Sequence, residues 1–247
     1  MSLKDDYILM ILSCKKYEKE RRVGQINQFL NNKYIMQGIR YFHLVGDKHK
    51  FRKNKKLKYI VNEEKNIIYT NTLDDYLSLP HKTISGLTAL YETFDFKYVL
   101  KTDDDQRLLN PKIFSILDTV LKNKNPDYFG KLGNMVEQVE KWQPIVHKND
   151  GFPTGYIVGD GKPFGNGRLY GLSRRNVEDL VKNKYDLIKK EYSEDWAIAK
   201  NQKLEYRMNN MYLDNSKIFA DYEVYNKYIE EQRRKQNEIN NINMKIL

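Results

Sequence analysis

Three consecutive carboxylates, Asp103, Asp104 and Asp105, follow a short segment whose composition is typical of a buried β-strand. In residues 96–101 aromatic and aliphatic side chains alternate with lysine and valine, which predicts a strand. Ligands of open α/β sheets bind beyond the carboxyl ends of the strands, so the acids are expected where substrates bind. Adjacent carboxylates repel one another, and Mn²⁺ or Mg²⁺ carrying a substrate diphosphate would relieve that repulsion. The alternative is an acidic surface turn, which is the commoner meaning of an isolated Asp triplet.

The order of the predicted elements indicates the fold class. Strands at 7–13, 41–45 and 67–69 are interleaved with helices at 17–33 and 81–94, and a helix runs from 110 to about 121. Such alternation favours an α/β fold with a mostly parallel, doubly wound central sheet flanked by helices. The second half predicts strands at 128–132 and 142–146, and helices capped by Ser173 and Ser193. We expect one domain over residues 1–220 and a polar C-terminal helix or tail over 221–247.

Composition restricts the class of protein and of partner. The 247 residues include 40% apolar side chains and carry a net charge of +10, which favours a folded protein with anionic partners such as nucleotides, nucleic acid or a membrane surface. The single cysteine, Cys14, excludes an intramolecular disulfide and is predicted to be a small core residue in a reducing compartment. The longest apolar run, residues 7–12, is far shorter than the roughly 20 residues of a membrane span, and no signal-peptide cleavage pattern is present.

Two further motifs have both a structural and a functional interpretation. Glu194 and Asp195 follow Ser193, so they either complement the dipole of a capped helix or supply Asp195 as a general base. The glycine-rich stretch 165–171 predicts either a tight turn or hairpin, or a backbone that approaches a sugar ring closely.

At this point the chain resembles a known family, the inverting β-1,3-glycosyltransferases of the galactosyltransferase and Fringe type (glycosyltransferase family 31), which have the GT-A fold. The resemblance covers roughly residues 7–205, and its specificity comes from six motifs that occur in the family's order. The motifs are ERRVGQI at 20–26, YFHLVG at 41–46, DDYLSLPHKT at 74–83, KYVLKTDDD at 97–105, GNGRLYGLS at 165–173 and ED at 194–195.

The resemblance implies a UDP-sugar donor, a Mn²⁺ or Mg²⁺ cofactor and transfer of a hexose with inversion, giving a β linkage of the β-1,3 type. Asp195 would be the catalytic base, and Asp103 and Asp105 would hold the metal. The acceptor would be a glycan, a glycoprotein or a small molecule, and no nucleic-acid partner is expected. The residues that would bind the donor nucleotide are Arg21, Arg22, Asp75, Lys82, Lys101, Asp103, Asp104 and Gly167.

The chain departs from the family pattern at three places. Arg168 and Leu169 replace two glycines of the glycine-rich motif. A histidine that family members often supply to the metal has no counterpart after His147, so Asp214, Asn215 or water would take its place. The family's disulfides and membrane anchor are missing, which predicts a soluble, cytoplasmic protein of viral or bacterial type.

Two other functions remain compatible with parts of the sequence. Residues 48–58 hold seven basic side chains and one phenylalanine, a composition that suits nucleic-acid binding as well as a solvated loop. A metal-dependent phosphotransferase would use the same acids but would need no glycine-lined sugar pocket. The nucleic-acid interpretation leaves the Asp triplet and the pair Glu194–Asp195 unexplained.

Overall fold

The structure, a computed structural model, describes residues 6–134, 139–142, 155–158 and 160–246. The strands of these ranges are β1 (Tyr7–Leu12), β2 (Arg40–Gly46), β3 (Tyr59–Asn62), β4 (Ile67–Thr70), β5 (Tyr98–Asp103), β6 (Gln106–Leu108), β7 (Tyr128–Asn134), β8 (Val139–Trp142), β9 (Gly155–Val158), β10 (Pro163–Ser173), β11 (Asn210–Tyr212) and β12 (Phe219–Asp221).

Helices cover both faces of the sheet and continue beyond it at the C-terminal end. The α-helices are α1 (Val23–Gln25), α2 (Lys33–Met36), α3 (Leu79–Thr93), α4 (Ile113–Lys124), α5 (Arg174–Asp179), α6 (Tyr185–Ile188), α7 (Glu194–Asn201), α8 (Leu204–Met208) and α9 (Tyr222–Ile246). Short 3-10 turns occupy Lys15–Tyr17, Lys48–Phe51 and Asn215–Lys217, and π-helical turns occupy Glu18–Arg22, Ile26–Leu30 and Leu180–Lys184.

Within the described ranges, eight strands form one sheet in the order β11-β7-β10-β5-β1-β2-β4-β3. Strands β5, β1, β2 and β4 are parallel neighbours at its centre, β10 runs antiparallel to β5 and β7, and β3 runs antiparallel to β4. Two small pairs, β12 with β6 and β8 with β9, lie outside it. The predicted α/β fold with a mostly parallel sheet is confirmed.

The two faces of β1 belong to different parts of the core. Ile8 and Met10 pack in a cluster that includes residues of α3, whereas Leu9 and Ile11 pack in a cluster that includes residues of α4. All four side chains are almost completely buried. This arrangement is the reason why residues 7–12 form a continuous apolar run, since a central parallel strand is covered by helices on both faces.

Several local predictions differ from the structure. The strand β3 was not predicted, because its four residues are half-buried and follow the lysine-rich segment directly. The helix expected at Asn110 begins only at Ile113, after a turn in which the Asn110 side chain accepts a hydrogen bond from the N–H of Lys112. The N-cap at Ser173 is confirmed by its bond from the N–H of Asn176. Residues 143–146 of the strand expected at 142–146 lie outside the described residues.

The C-terminal segment forms the helix α9, which is one of the two alternatives, a polar helix or a tail, that the sequence predicted for it. In α9 the described side chains face solvent for the most part, and the helix starts directly after β12. Among the helices in the described part of the chain, none has the length and apolar character that crossing a bilayer requires.

His43 of β2 gives the fold a calculable dependence on pH. Its ring Nε2 lies 3.3 Å from Oε1 of Gln25, and burial, aided by the charge of Arg22, lowers the pKa of the imidazole from 6.5 to about 3. The unfolded chain therefore binds a proton below pH 6.5 that the folded chain does not bind. Stability that His43 contributes above pH 6.5 is lost as the pH falls from 6.5 towards 3.

We expect His43→Gln to reduce the difference between the free energies of unfolding at pH 7 and pH 5 by about 2 kcal/mol. Urea denaturation at the two pH values measures this difference. His49→Gln, at an exposed position, is the control and should leave the difference unchanged. An unaltered pH dependence in His43→Gln would show that other groups cause it.

Candidate active site

A cavity of about 480 Å³ lies at the carboxyl ends of β1 and β5. The sequence predicted a ligand site at this place, because the acidic residues 103–105 directly follow a strand. Nearly all of the predicted site residues line it: Arg21, Asp75, Lys82, Lys101, Asp103, Asp104, Asp105, Gly167 and Asp195.

Lys101 is the buried cation at the centre of the site. Its side chain is 2% exposed, and its Nζ lies 2.9 Å from Oδ1 of Asp103 and 3.0 Å from Oε2 of Glu194. The same Nζ donates a hydrogen bond to the backbone carbonyl of Gly167 at 2.8 Å. Burial alone would lower the pKa of the ammonium, but the two carboxylates raise it. Lys101 is therefore charged, and it joins β5, β10 and α7 at one point.

Asp103 carries a carboxylate whose charge is only partly compensated. Burial raises the pKa of Asp103, and Asp105 and Glu194 add to this effect, while Lys101 opposes it. Asp105 is more exposed, and its Oδ1 accepts a hydrogen bond from Gln106 at 2.9 Å. Lys101 compensates Asp103 only in part, and the Arg21 guanidinium lies 3.9 Å from Oδ2 of Asp105. This end of β5 would therefore gain from a further cation.

Asp104 is buried and held by protein groups. Its Oδ2 accepts a hydrogen bond from the Ser13 hydroxyl at 2.8 Å, and its Oδ1 lies 3.5 Å from the Arg21 guanidinium. The Arg21 guanidinium also lies 3.9 Å above the ring of Tyr17, which lines the cavity. The middle acid of the triplet therefore positions a cationic and aromatic wall.

A second anchored lysine also lines the cavity. Lys82 of α3 is buried, and its Nζ donates to Oδ1 of Asp74 at 2.7 Å and to the carbonyl of Ser13 at 3.0 Å. Asp74 also accepts from the N–H groups of Gly46 and Lys15. Asp75 accepts from the N–H of Ser78 and faces the cavity.

Gly167 leaves open the space between the charged groups. A Cβ atom at this position would lie 3.2 Å from Nζ of Lys101, 3.5 Å from Oδ2 of Asp103 and 3.9 Å from Oδ2 of Asp195. The glycine belongs to the long strand β10, so of the two interpretations of residues 165–171 the tight turn or hairpin is wrong. The absent side chain instead opens a gap that both carboxylates face.

Asp195 is oriented by two hydrogen bonds to one of its oxygens. Oδ1 accepts from the Ser193 hydroxyl at 2.7 Å and from the N–H of Trp196 at 2.9 Å, which directs Oδ2 towards Gly167. Ser193 occupies the N-cap position of α7 as predicted, but its hydroxyl makes no capping hydrogen bond to a backbone N–H of the helix and binds the Asp195 side chain instead. Glu194, by contrast, is buried between Lys101 and the Tyr170 hydroxyl, which donates to it at 2.5 Å.

Three of the residues singled out in the sequence lie elsewhere. Arg22 is paired with Glu18 and does not line the cavity. Asp214 lies near Lys131 and Lys217, and Asn215 is buried with its side-chain NH₂ group donating to Asn166; neither residue lines the cavity. His147 lies outside the described residues.

Other lining residues were not assigned a role from the sequence. Ser13, Tyr17 and Asp74 contact the predicted residues directly. Each follows β1 or β4 at the same edge of the sheet, and this position in the sequence could have indicated that they line the site. Cys14 is half-buried at the cavity and not in the core as predicted, and burial raises the pKa of its thiol.

The donor chemistry of Asp103 and Asp105 fits a divalent metal ion. Two carboxylates, with the remaining positions taken by substrate phosphate and water, form a usual ligand set for Mg²⁺, and Mn²⁺ accepts the same oxygen ligands. The raised pKa of Asp103 indicates that added positive charge is favourable there. Within the described residues, no group of three His, Cys, Asp or Glu side chains is arranged to bind a metal without such help.

Sequence comparison relates residues 24–221 to the protein family described as galactosyltransferase. The chain is also 25% identical over 80 residues to the probable beta-1,3-galactosyltransferase 12 of Arabidopsis thaliana. These residues are 32% of this chain and 22% of the plant protein, so the match spans about a fifth of that relative.

Two solved structures align with most of the chain. The galactosyltransferase LgtC, in complex with donor and acceptor sugar analogs, aligns with a TM-score of 0.44 and 15% identity over 85% of this chain and 73% of LgtC. Residues 1–349 of TarS from S. aureus align with a TM-score of 0.44 and 10% identity over 87% of this chain and 59% of that structure.

The open space at Gly167 can be tested by filling it. We expect Gly167→Ala to fold normally, because the backbone there lies outside the left-handed region, but to lower the affinity for a nucleotide sugar about 10-fold by overpacking the gap. Isothermal titration calorimetry measures the affinity. Gly133→Ala is the matched control on the neighbouring strand β7, since a Cβ there meets no atom within 4 Å. Equal affinities of both variants would contradict a ligand beside Gly167.

Proposed function

Because the chain belongs to the galactosyltransferase family, we propose that it transfers a hexose from a UDP-sugar to an acceptor hydroxyl group, with inversion and formation of a β linkage. A β-1,3 linkage is the type that the sequence resemblance implies. The family is one of glycosyltransferases with the GT-A fold, in agreement with the mostly parallel sheet. The observation that carries the proposal is that Oδ2 of Asp103 and Oδ2 of Asp195 face the same gap at Gly167.

Asp195 is the proposed general base. The acceptor oxygen forms a bond to the anomeric carbon on the face opposite the diphosphate, while the bond from that carbon to the diphosphate oxygen breaks and its electron pair leaves with UDP. The hydroxyl proton passes to Oδ2 of Asp195, the oxygen that faces the gap. The hydrogen bonds from Ser193 and Trp196 fix the carboxylate for this transfer.

The opposite side of the cavity suits the negatively charged diphosphate and the nucleoside. Arg21 and Lys82 provide positive charge there, and charge-assisted bonds to phosphate are stronger than neutral ones. Lys101 holds Asp103 and Glu194 in place. Asp103 and Asp105 would hold Mn²⁺ or Mg²⁺, which would supply Lewis-acid stabilisation of the departing diphosphate.

The proposed catalytic domain ends close to the end of the family match. The match stops at residue 221, and α9 begins at Tyr222. We assign residues 1–220 to the transferase domain and 221–247 to a polar C-terminal helix. The acceptor is proposed to be a glycan, a glycoprotein or a small molecule with a free hydroxyl group.

The role of Asp195 predicts a loss of turnover without a loss of donor binding. Asp195→Asn keeps the size of the side chain but removes the proton acceptor, so transfer should fall roughly 10²–10⁴-fold. UDP-sugar affinity and melting temperature should change little. UDP release with acceptor present measures turnover, and calorimetry measures affinity.

The matched control is Asp214→Asn. Asp214 also accepts a hydrogen bond from a nearby serine, at 2.6 Å from Ser216, but it lies outside the cavity lining. This variant should retain full turnover. If Asp195→Asn also retains it, Asp195 only stabilises the start of α7.

Metal dependence forms a separate prediction. Excess EDTA should abolish transfer, and Asp105→Ala should weaken Mn²⁺ binding at least 10-fold, because one of two carboxylate ligands is lost. Calorimetric Mn²⁺ titration in the presence of UDP measures the binding. Asp95→Ala, at a side chain 94% exposed, is the control. Full turnover in EDTA would exclude the metal.

A further inference from the structure

The positive charge of the chain is concentrated in one segment, the lysine-rich loop, defined as residues 48–58. It contains seven lysine or arginine side chains and no aspartate or glutamate, whereas the whole chain has a net charge of +10. None of its residues lines the cavity. Residues 52–58 are all exposed. This charge therefore has no role in the proposed transfer reaction and faces solvent.

The lysine-rich loop is held in a defined conformation. Phe51 is buried and anchors its first turn. The Asn71 side chain donates hydrogen bonds to the carbonyls of Lys55 and Leu57, both at 3.0 Å, and the N–H of Asn71 donates to the carbonyl of Lys58. The exposed lysines are consequently displayed on a fixed backbone.

Side chains from α6 and its C-terminal end extend the basic surface. The Nζ of Lys58 lies 4.1 Å from the ring centre of Tyr185, and the Nζ of Lys189 lies 5.7 Å from the same ring. Asp186 is the acidic neighbour here, and it is paired with Lys189. Lys190, also exposed, contributes a further positive charge.

Two leucines with exposed side chains accompany these cations. Leu57 is 41% exposed within the loop, and Leu73 is 52% exposed two residues after Asn71, which holds the loop. Exposed leucines beside a basic segment have no favourable partner in a purely ionic complex. A favourable partner exists where a charged surface covers a hydrocarbon layer, as in a lipid bilayer.

We propose that the lysine-rich loop, with Leu57 and Leu73, forms a docking face for an anionic lipid bilayer. Lysines bind the acidic headgroups, and the leucines enter the boundary between headgroups and acyl chains. A nucleic acid offers the same phosphate charge but no apolar layer for the leucines. The proposal concerns binding alone and holds or fails independently of sugar transfer.

The docking face lies at the same edge of the sheet as the cavity. The loop follows the carboxyl end of β2, and β2 is a parallel neighbour of β1, whose carboxyl end contributes Leu12 to the cavity wall. The ion pair of Lys15 with Asp47, at 2.6 Å, connects the two regions. A bilayer bound at this face would therefore lie at the edge of the sheet that carries the site.

Sedimentation of the full chain with vesicles tests the proposal. The protein should bind vesicles that contain 30% phosphatidylglycerol in phosphatidylcholine, and should bind pure phosphatidylcholine vesicles weakly. Replacing Lys53, Lys55 and Lys56 together by glutamine should lower the partition coefficient about 100-fold, since each lysine near the membrane surface raises the affinity about 5-fold. Replacing Lys112, Lys122 and Lys124, exposed on or beside α4, is the matched control with the same charge change.

A second variant distinguishes binding to a bilayer from binding to other polyanions. Leu57→Ser combined with Leu73→Ser should lower binding to anionic vesicles about 10-fold and leave binding of a random oligonucleotide unchanged. Melting temperatures confirm folding of each variant. No binding of the wild type to anionic vesicles, equal losses in the α4 control, or vesicle binding that does not depend on the leucines would each overturn the proposal.

Discussion

The buried ammonium of Lys101 is the charge around which the active site is arranged. Moving an ion out of water costs several kcal/mol even after the protein relaxes. This cost is offset only because Asp103, Glu194 and the carbonyl of Gly167 all lie within 3.0 Å of Nζ. Since the three partners belong to β5, α7 and β10, the relative positions of these elements are fixed by one cation.

The same arrangement separates the functions of adjacent acids. Glu194 is occupied by Lys101 and Tyr170, whereas Asp195, the next residue, has one oxygen facing the cavity. Asp104 is likewise held by Ser13 and Arg21, whereas Asp103 binds Lys101 through Oδ1 and faces the gap at Gly167 with Oδ2. Glu194 and Asp104 therefore hold the framework, while Asp103 and Asp195 each have one oxygen that faces the cavity.

The sequence predicted those features that depend on local pattern. The buried strand β5, the helix α3 and the parallel centre of the sheet follow from periodicity, and most cavity residues follow from the family motifs. The partnership of Lys101 with Glu194 was not predictable, because it joins residues far apart in the chain. The role of the Ser193 side chain was misassigned because a serine before a helix usually accepts a hydrogen bond from a backbone N–H. Here its hydroxyl donates a hydrogen bond to the Asp195 carboxylate instead.

The pairing of β12 with β6 affects how the site can form during synthesis of the chain. Asp221 accepts a hydrogen bond from Gln106 at 2.6 Å, and Gln106 also donates to Asp105. The strand that braces the acidic loop is thus made more than a hundred residues after the loop itself. A nascent chain can complete much of its core while still on the ribosome, but Asp105 gains this support only when residue 221 has left the exit tunnel.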